Sequence, residues 1–252
     1  MAKIYAVISG KGGVGKTTTA INLGTSLNKL GEDVIVIDGN FTTPNVGLHL
    51  GAPIVPVTLN NVLNGQAKLE EAIYEHESGT KVIPSSISVK DIYNIKYEKL
   101  PSIIKKLKRF ADYIIVDSAA GLGEDSLAAM ESADELIIVT NPEMPAVTDA
   151  LKTLKVAQSF GKKVTGVILT RYTGTKIEMS ADGIRDLLEI PLIGVVPEDK
   201  RVKESHYMKN AVVLTHPRSK AAREYKKIAA RICGKEVPQD TLYEKFLDVV
   251  RG

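Results

Sequence analysis

The chain contains a single cysteine, Cys233, among its 252 residues. One cysteine excludes an intrachain disulfide and argues against a metal site built from cysteine pairs. We therefore expect Cys233 to be an ordinary helical residue in a reducing compartment.

The sequence also has neither a large excess of one charge nor a long apolar segment. It has 33 basic and 30 acidic residues, formally +3, which is too balanced to indicate nucleic-acid binding, since DNA-binding proteins usually cluster basic residues on one face. No stretch approaches the roughly 18 apolar residues of a membrane span, and the apolar segment 4–8 is too short for a signal peptide. We expect a cytoplasmic protein, with peripheral contact at the inner face of the cell membrane left open.

Short apolar segments alternate with helical patterns along the chain. The β-branched, nearly continuous apolar segments are typical of parallel strands covered on both faces, and their alternation with helices indicates right-handed crossovers. The candidate strands are residues 4–8, 34–37, 81–84, 113–116, 136–139, 164–169 and 192–195. The candidate helices are residues 16–29, 98–110, 125–132, 146–160, 181–188 and 219–233, and residues 51–64 are the most loop-like. The sequence predicts an α/β fold: a doubly wound, mostly parallel sheet of seven or eight strands with helices on both faces.

One glycine-rich segment carries the strongest functional signal. Residues 10–17 match G-x-x-x-x-G-K-[ST] between a predicted strand and a predicted helix. The glycines let successive backbone N–H groups turn toward phosphate oxygens, and the helix start adds a favourable dipole. Lys16 can reach the β- and γ-phosphates of ATP, and the Thr17 hydroxyl can ligate Mg²⁺. The predicted nucleotide-binding residues here are Gly10, Lys11, Gly12, Gly13, Val14, Gly15, Lys16, Thr17 and Thr18.

Lys11 is a second lysine, which an ordinary phosphate loop does not need. It is either a solvated surface residue or a second phosphate-binding lysine that reaches a nucleotide on a facing subunit. Residues 11–17, KGGVGKT, resemble the deviant Walker A motif of the superfamily that holds ParA, MinD, the tail-anchored-protein insertion ATPases and the nitrogenase iron protein. This resemblance implies a P-loop ATPase domain, here residues 1–235, and an ATP-bound homodimer whose interface Lys11 crosses.

A second candidate element is Asp117, which ends the predicted strand 113–116. A carboxylate at the end of a strand beside the phosphate loop suits Mg²⁺ binding, and a turn or N-cap aspartate is the alternative. Residues 117–121, with 133–135 and 140–143, resemble MinD. MinD-type proteins carry D-S-P-A-G at the first of these, so Ala119 replaces a proline, which could loosen the loop but leaves Asp117 intact.

Two further segments, 169–172 and 195–202, resemble MinD, and the resemblance spans most of residues 3–235. In the family these loops flank the adenine ring. Both follow predicted strands, at the sheet edge where doubly wound folds bind ligands. Arg171 could stack on a base or form a surface ion pair. The predicted base-binding residues are Thr170, Arg171, Pro197, Glu198 and Asp199.

The second predicted strand ends in Asp38-Gly39-Asn40, where MinD and ParA relatives have D-x-D. The resemblance places Asp38 near Mg²⁺ and gives the second aspartate a role in orienting the attacking water. Asn40 carries an amide instead, which can hold a water but is not a useful general base. Either hydrolysis is slow, or Asn40 is a tolerated substitution without effect, or Asp38 compensates for it. Residues 41–45 then form a predicted switch loop that senses the γ-phosphate.

From these motifs we predict which residues perform the chemistry. The predicted catalytic residues are Lys11, Lys16, Asp38, Asn40 and Asp117. The predicted Mg²⁺ ligands are Thr17, Asp38 and Asp117, and the predicted cofactors are ATP and Mg²⁺.

The tail, residues 236–252, contains a candidate amphipathic helix. Bacterial MinD ends in a basic helix of this kind that binds the membrane. The apolar face here consists of Leu242, Phe246, Val249 and Val250, and its charges are Asp240, Glu244, Lys245, Asp248 and Arg251. Because a membrane-surface helix usually needs an excess of basic residues, packing against the protein itself or a partner is favoured over a lipid surface.

The motifs together favour a MinD-like ATPase that ATP closes into a homodimer, that hydrolysis opens, and that positions a regulatory protein partner, as in cell division. The runner-up is a ParA-like partition ATPase that binds nonspecific DNA through the basic helix 218–235. An ordinary solvated outer face is the favoured interpretation of the charges on this helix. A maturation factor is disfavoured because Cys233 has no partner cysteine. An ATP-binding module without turnover is a further alternative.

Overall fold

A single eight-stranded sheet forms the centre of the protein in the computed structural model, which describes residues 2–91 and 95–239. The strands are β1 (Lys3–Ser9), β2 (Val34–Gly39), β3 (Tyr74–Glu75), β4 (Lys81–Ile83), β5 (Tyr113–Ala120), β6 (Glu135–Thr140), β7 (Lys163–Tyr172) and β8 (Leu192–Pro197). Their spatial order is β3-β4-β2-β5-β1-β6-β7-β8. Only the β3–β4 pair is antiparallel within this sheet, and the other neighbours are parallel.

Ten α-helices are assigned within the described residues. They are α1 (Lys16–Lys29), α2 (Val46–His49), α3 (Leu59–Leu63), α4 (Leu100–Lys106), α5 (Glu124–Ser132), α6 (Met144–Ser159), α7 (Ala181–Leu188), α8 (Lys200–Tyr207), α9 (Val212–Thr215) and α10 (Lys220–Cys233). Two apolar clusters cover the sheet, one with α3 to α7 and the other with α1, α9 and α10. The predicted doubly wound α/β architecture is confirmed, and none of these helices is long and apolar enough to cross a membrane.

Several elements differ from the sequence prediction. The loop predicted at 51–64 contains α3, which begins after Thr58 because the Thr58 and Asn61 side chains form a capping box. The helix predicted at 98–110 is regular only as α4, with 3₁₀ turns before and after it. Strand β3 and helix α8 were not predicted. The tail helix prediction falls on residues 240–252, which lie outside the described residues.

Side chains of α10 form hydrogen bonds with backbone groups of the edge strand β8. Arg231 donates to the Ile193 carbonyl over 2.8 Å, and the Val195 N–H donates to the Glu224 carboxylate over 3.4 Å. Arg231 and Glu224 also form an ion pair of 3.3 Å. Backbone groups that an edge strand usually exposes are therefore paired within the chain.

Glu135 joins three neighbouring strands at the end of the sheet opposite the phosphate loop. Its carboxylate lies 2.8 Å from the Lys3 ammonium and 2.9 Å from the Lys163 ammonium, and it accepts a 2.5 Å hydrogen bond from the Thr165 hydroxyl. Burial alone would raise the pKa of Glu135, but the hydrogen bonds from Lys3, Thr165 and Lys163 outweigh it and lower the pKa from 4.5 to about 2. The charged form of Glu135 therefore stabilises the fold.

We expect Glu135→Gln to lower the free energy of unfolding at pH 7 by about 1–3 kcal/mol, because both lysines lose their charged acceptor. The depressed pKa means that this contribution is complete above pH 4.5 and is lost as the pH falls toward about 2. The melting-temperature gap between variant and wild type, measured at pH 7 and at pH 3, should shrink at the lower pH. Glu131→Gln is the control, since Glu131 is exposed, and an equal gap at both pH values would contradict the assignment.

Candidate nucleotide site

The phosphate loop connects β1 to α1 and has the backbone that its glycines permit. Gly13 and Gly15 have φ values of 78° and 87°, in the left-handed region that disfavours other residues. A Cβ at Gly10 would collide with the backbone carbonyl of Asp149 on α6. The loop is therefore packed against α6 and leads directly into the N-terminus of α1, where backbone N–H groups are available to an anion.

Lys16, Thr17 and Asp117 meet at the carboxyl ends of β1 and β5. The buried Lys16 ammonium lies 3.4 Å from one Asp117 oxygen and also donates to the Ser118 carbonyl. The Thr17 hydroxyl donates to the other Asp117 oxygen over 2.6 Å. The predicted phosphate lysine and two predicted Mg²⁺ ligands thus share one cluster.

Asp38 lies beside this cluster because β2 and β5 pair in a register that puts Asp38 opposite Asp117. Its carboxylate is fully buried and accepts N–H groups of Asn40, Asn45 and Val46 over 3.2, 2.8 and 2.9 Å. Burial, and then the negative charge of Asp117, raise the pKa of Asp38 to about 7, although the three N–H groups oppose this shift. The pair of buried carboxylates therefore carries more negative charge than its surroundings neutralise, which favours a divalent cation.

The Asn40 side chain forms hydrogen bonds within its own loop. Its side-chain amide donates to the Thr43 carbonyl over 2.7 Å, and its amide oxygen accepts the Thr43 N–H over 3.0 Å. The predicted switch loop is anchored on one side by Phe41, which is buried and packs edge-on against Tyr97 with ring centroids 5.6 Å apart. The Asn40 side chain thus shapes the segment 40–43 through its bonds to Thr43.

Lys11 lies at the exposed mouth of the phosphate loop. Its ammonium pairs with Glu143 over 3.3 Å, with 44% of the Lys11 side chain and 57% of the Glu143 side chain exposed. An exposed ion pair of this kind is worth little, about 0–1 kcal/mol. A pairing this weak leaves the Lys11 ammonium available to another partner.

The predicted base-binding residues line one cleft of about 110 Å³ next to Gly15 and Thr18; they are Thr170, Arg171, Pro197, Glu198 and Asp199. Two of them have additional structural roles. The Thr170 hydroxyl donates to the Val14 carbonyl over 2.6 Å and so holds the phosphate loop. The Asp199 carboxylate accepts the N–H groups of Arg201 and Ala221, at the starts of α8 and α10.

The sequence prediction missed other residues of this cleft. Lys203 and His206 on α8 and Tyr225 on α10 complete its wall, together with Val202, which falls in the segment 195–202 but was not among the predicted base-binding residues. The Asp199 N-cap was the available signal for α8, but that helix carries few apolar residues, so periodicity did not reveal it. His206 and Tyr225 do not belong to a recognisable sequence motif, so no sequence signal indicated their place in the cleft.

With this geometry established, comparisons with known proteins identify the family. The CobQ/CobB/MinD/ParA nucleotide-binding domain matches residues 5–212. The chain belongs to this family. An uncharacterized ATP-binding protein of Methanocaldococcus jannaschii is 39% identical over 93% of this chain and 89% of its own length.

Solved structures of MinD place the chain in the MinD-like branch. The septum site-determining protein MinD of Pyrococcus horikoshii, solved with Mg-ADP, has a TM-score of 0.89 at 36% identity, covering 92% of this chain and 96% of that one. The Aquifex aeolicus MinC:MinD complex contains a chain with a TM-score of 0.85 at 29% identity, covering 95% of this chain and 99% of that one. The resemblance to MinD-like members of the ParA/MinD superfamily, noted in the sequence, is confirmed.

The residues present fit the cofactors of this family, ATP and Mg²⁺. A hydroxyl and two carboxylates are the hard oxygen ligands that Mg²⁺ prefers, and Thr17, Asp38 and Asp117 supply them within one cluster. The glycine loop and Lys16 provide the donors that phosphates need. The protein therefore binds ATP with Mg²⁺, and its MinD/ParA relatives are ATP-binding ATPases.

We expect Lys16→Gln to weaken ATP binding by about 10- to 100-fold, because a charge-assisted hydrogen bond to phosphate is lost. Calorimetric titration with ATP and Mg²⁺ measures the change. Lys29→Gln is the matched control, since Lys29 lies at the exposed end of the same helix. Equal affinities for the two variants would show that Lys16 does not contact the phosphates.

Proposed function

We propose that this protein is an ATP-dimerised switch ATPase of the MinD type, in which Lys11 of each subunit contacts the nucleotide of the other. The supporting observation is the position of Lys11, exposed at the mouth of the phosphate loop and engaged in a surface pair with Glu143. A lysine in this place is available to a phosphate presented from outside the subunit.

Apolar side chains beside Lys11 support a protein interface on this face. Leu122 and Met144 are 42% and 58% exposed. Leu122 follows Gly121, whose N–H donates to the Ser9 carbonyl, and Met144, the first residue of α6, follows the Lys11 partner Glu143. Large apolar side chains grouped on one surface are typical of a protein-binding site. A second copy of the chain meeting this face would cover them and place its Lys11 near the phosphates.

The residues of the site have distinct roles in the proposed hydrolysis. Mg²⁺, when bound, supplies positive charge to the phosphate oxygens. Lys16 and the loop N–H groups would bind the phosphates, and Asp38 and Asp117 would hold the cation. The segment 40–46 is joined to Asp38 through three backbone N–H groups, so a change at the γ-phosphate would move the loop that displays the state to a partner.

We expect ATP with Mg²⁺, but not ADP, to convert a 27.3 kDa monomer into a dimer of twice that mass, as measured by size-exclusion chromatography with light scattering. Lys11→Ala should abolish the dimer while ATP still binds to the monomer. Lys105→Ala, an exposed lysine on α4, should dimerise normally. A wild type that stays monomeric with ATP would refute the dimer, and a Lys11→Ala variant that dimerises fully would refute the role of Lys11.

We further propose that hydrolysis is slow because Asn40 has a side-chain amide where the MinD and ParA relatives have a carboxylate. An amide holds a water but does not accept its proton. The Asn40–Thr43 hydrogen bonds add a second effect, since they direct the amide into the loop.

We expect Asn40→Asp to raise the rate of phosphate release several-fold, toward the about 10²-fold contribution of a general base. Asn45→Asp is the matched control: it makes the same change in the same loop and also removes a donor to the Thr43 carbonyl. An Asn40→Asp variant no faster than the wild type would contradict the proposal. A wild type without turnover would instead favour a regulatory ATP-binding module.

The proposed partner is a regulatory protein, as the MinC:MinD complex of Aquifex aeolicus illustrates for that relative. The proposed site of action is the cytoplasm, with peripheral contact at the membrane, and the process is spatial positioning such as cell division. The DNA-binding alternative is not favoured. Charges of the basic helix are used within the chain: Arg231 pairs with Glu224, and Lys235 pairs with Glu32.

A further inference from the structure

Two histidines meet between α2 and α8, at the rim of the nucleotide cleft. The rings of His49 and His206 are 4.5 Å apart at an interplanar angle of 89°. His206 belongs to the cleft wall, whereas His49 ends the short helix that follows the switch loop. The ring contact therefore joins the wall of the predicted base-binding cleft to the helix that follows the switch loop.

His206 also contacts the helix that begins in the phosphate loop. Its Nε2 atom lies 3.2 Å from the Thr18 hydroxyl, and Thr18 directly follows the Mg²⁺-site residue Thr17 in α1. The ring is half-buried, and burial, followed by the charges of His49 and Arg171, lowers the pKa of His206 to about 4. The imidazole is therefore uncharged at neutral pH and packs as an aromatic ring.

His49 continues the connection to the buried carboxylate. Its Nδ1 atom lies 2.8 Å from the Asn45 carbonyl, and because a carbonyl only accepts, Nδ1 carries the proton. The Asn45 N–H in turn donates to Asp38 over 2.8 Å. The contacts thus run without a break from Thr18 through His206, His49 and Asn45 to Asp38.

A second contact holds α2 against the end of α8. A Cβ at Gly51 would lie 3.2 Å from the Lys209 side chain, and both residues have left-handed φ values, 74° and 54°. A left-handed conformation is costly for lysine and persists where surrounding contacts impose it. The end of α8 and the segment after the switch loop therefore fit each other closely at two points.

We propose that the His49–His206 pair is a positioning device that transmits occupancy of the base cleft to the switch segment. When a base fills the cleft, His206 is fixed; it fixes His49, and His49 holds Asn45 and Val46 with their N–H groups on Asp38. His206 is a positioning residue, because it acts on the metal-site carboxylate through other residues. The inference rests on the proposed switch ATPase and adds the route by which nucleotide binding controls the loop.

The test is a double-mutant cycle of His49→Ala and His206→Ala, with kcat and the affinity for a non-hydrolysable ATP analogue measured for each variant. We expect each single variant to lower kcat about fivefold with a smaller change in affinity, and the double variant to lose no more than either single one. His206→Phe, which retains an aromatic ring against His49, should recover part of kcat. His76→Ala, in the β3–β4 hairpin, is the matched control and should leave kcat unchanged.

Amide hydrogen exchange provides a readout that does not need turnover. With the analogue bound, the Asn45 and Val46 amides should exchange faster in both single variants than in the wild type. Additive losses of kcat, or unchanged exchange at these two amides, would overturn the coupling. If the wild type hydrolyses no ATP, the proposed enzyme activity fails, and the exchange rates alone decide the coupling.

Discussion

Two buried carboxylates side by side are the constraint on which the rest of the site depends. The parallel register of β2 and β5 sets Asp38 against Asp117, and neither side chain is exposed. Charges of the same sign at such a position are costly unless something neutralises them. The surroundings supply Lys16, the Thr17 hydroxyl and three backbone N–H groups, and the remaining imbalance is what makes a divalent cation and its phosphate ligand favourable there.

The same constraint organises the switch loop. Two of the three N–H groups that donate to Asp38 come from Asn45 and Val46, at the start of α2. The C-terminal end of the loop is therefore attached to the carboxylate of the predicted cation site. Asn40 and Thr43 close the loop in the middle, and Phe41 anchors it in the core beside Tyr97. A loop fixed at these points has few alternative positions, which supports the proposed role of this segment in reporting the ligand state.

How far the sequence predicts this arrangement depends on how local each requirement is. The phosphate loop, α1 and the central strands were predicted because glycine conformations, helix starts and β-branched runs act over a few residues. The role of Thr170 as a support for Val14 was not predictable, because the two residues are 156 positions apart and meet only in the folded chain. The Asn40–Thr43 turn could have been predicted from the sequence, since asparagine side chains commonly form hydrogen bonds with the backbone two or three residues further along the chain. Strand β3 was missed because two residues carry no pattern.

The side chains of α10 that pair with the edge of β8 have a consequence for assembly. At the other end of the sheet, β3 is only two residues long, so neither border offers a strand of useful length to a neighbouring molecule. Within the described residues, these borders disfavour joining two copies by extension of the sheet. The proposed dimer would instead form through loop surfaces, where contact can depend on a small molecule and can be undone without breaking the backbone pairing of a shared sheet.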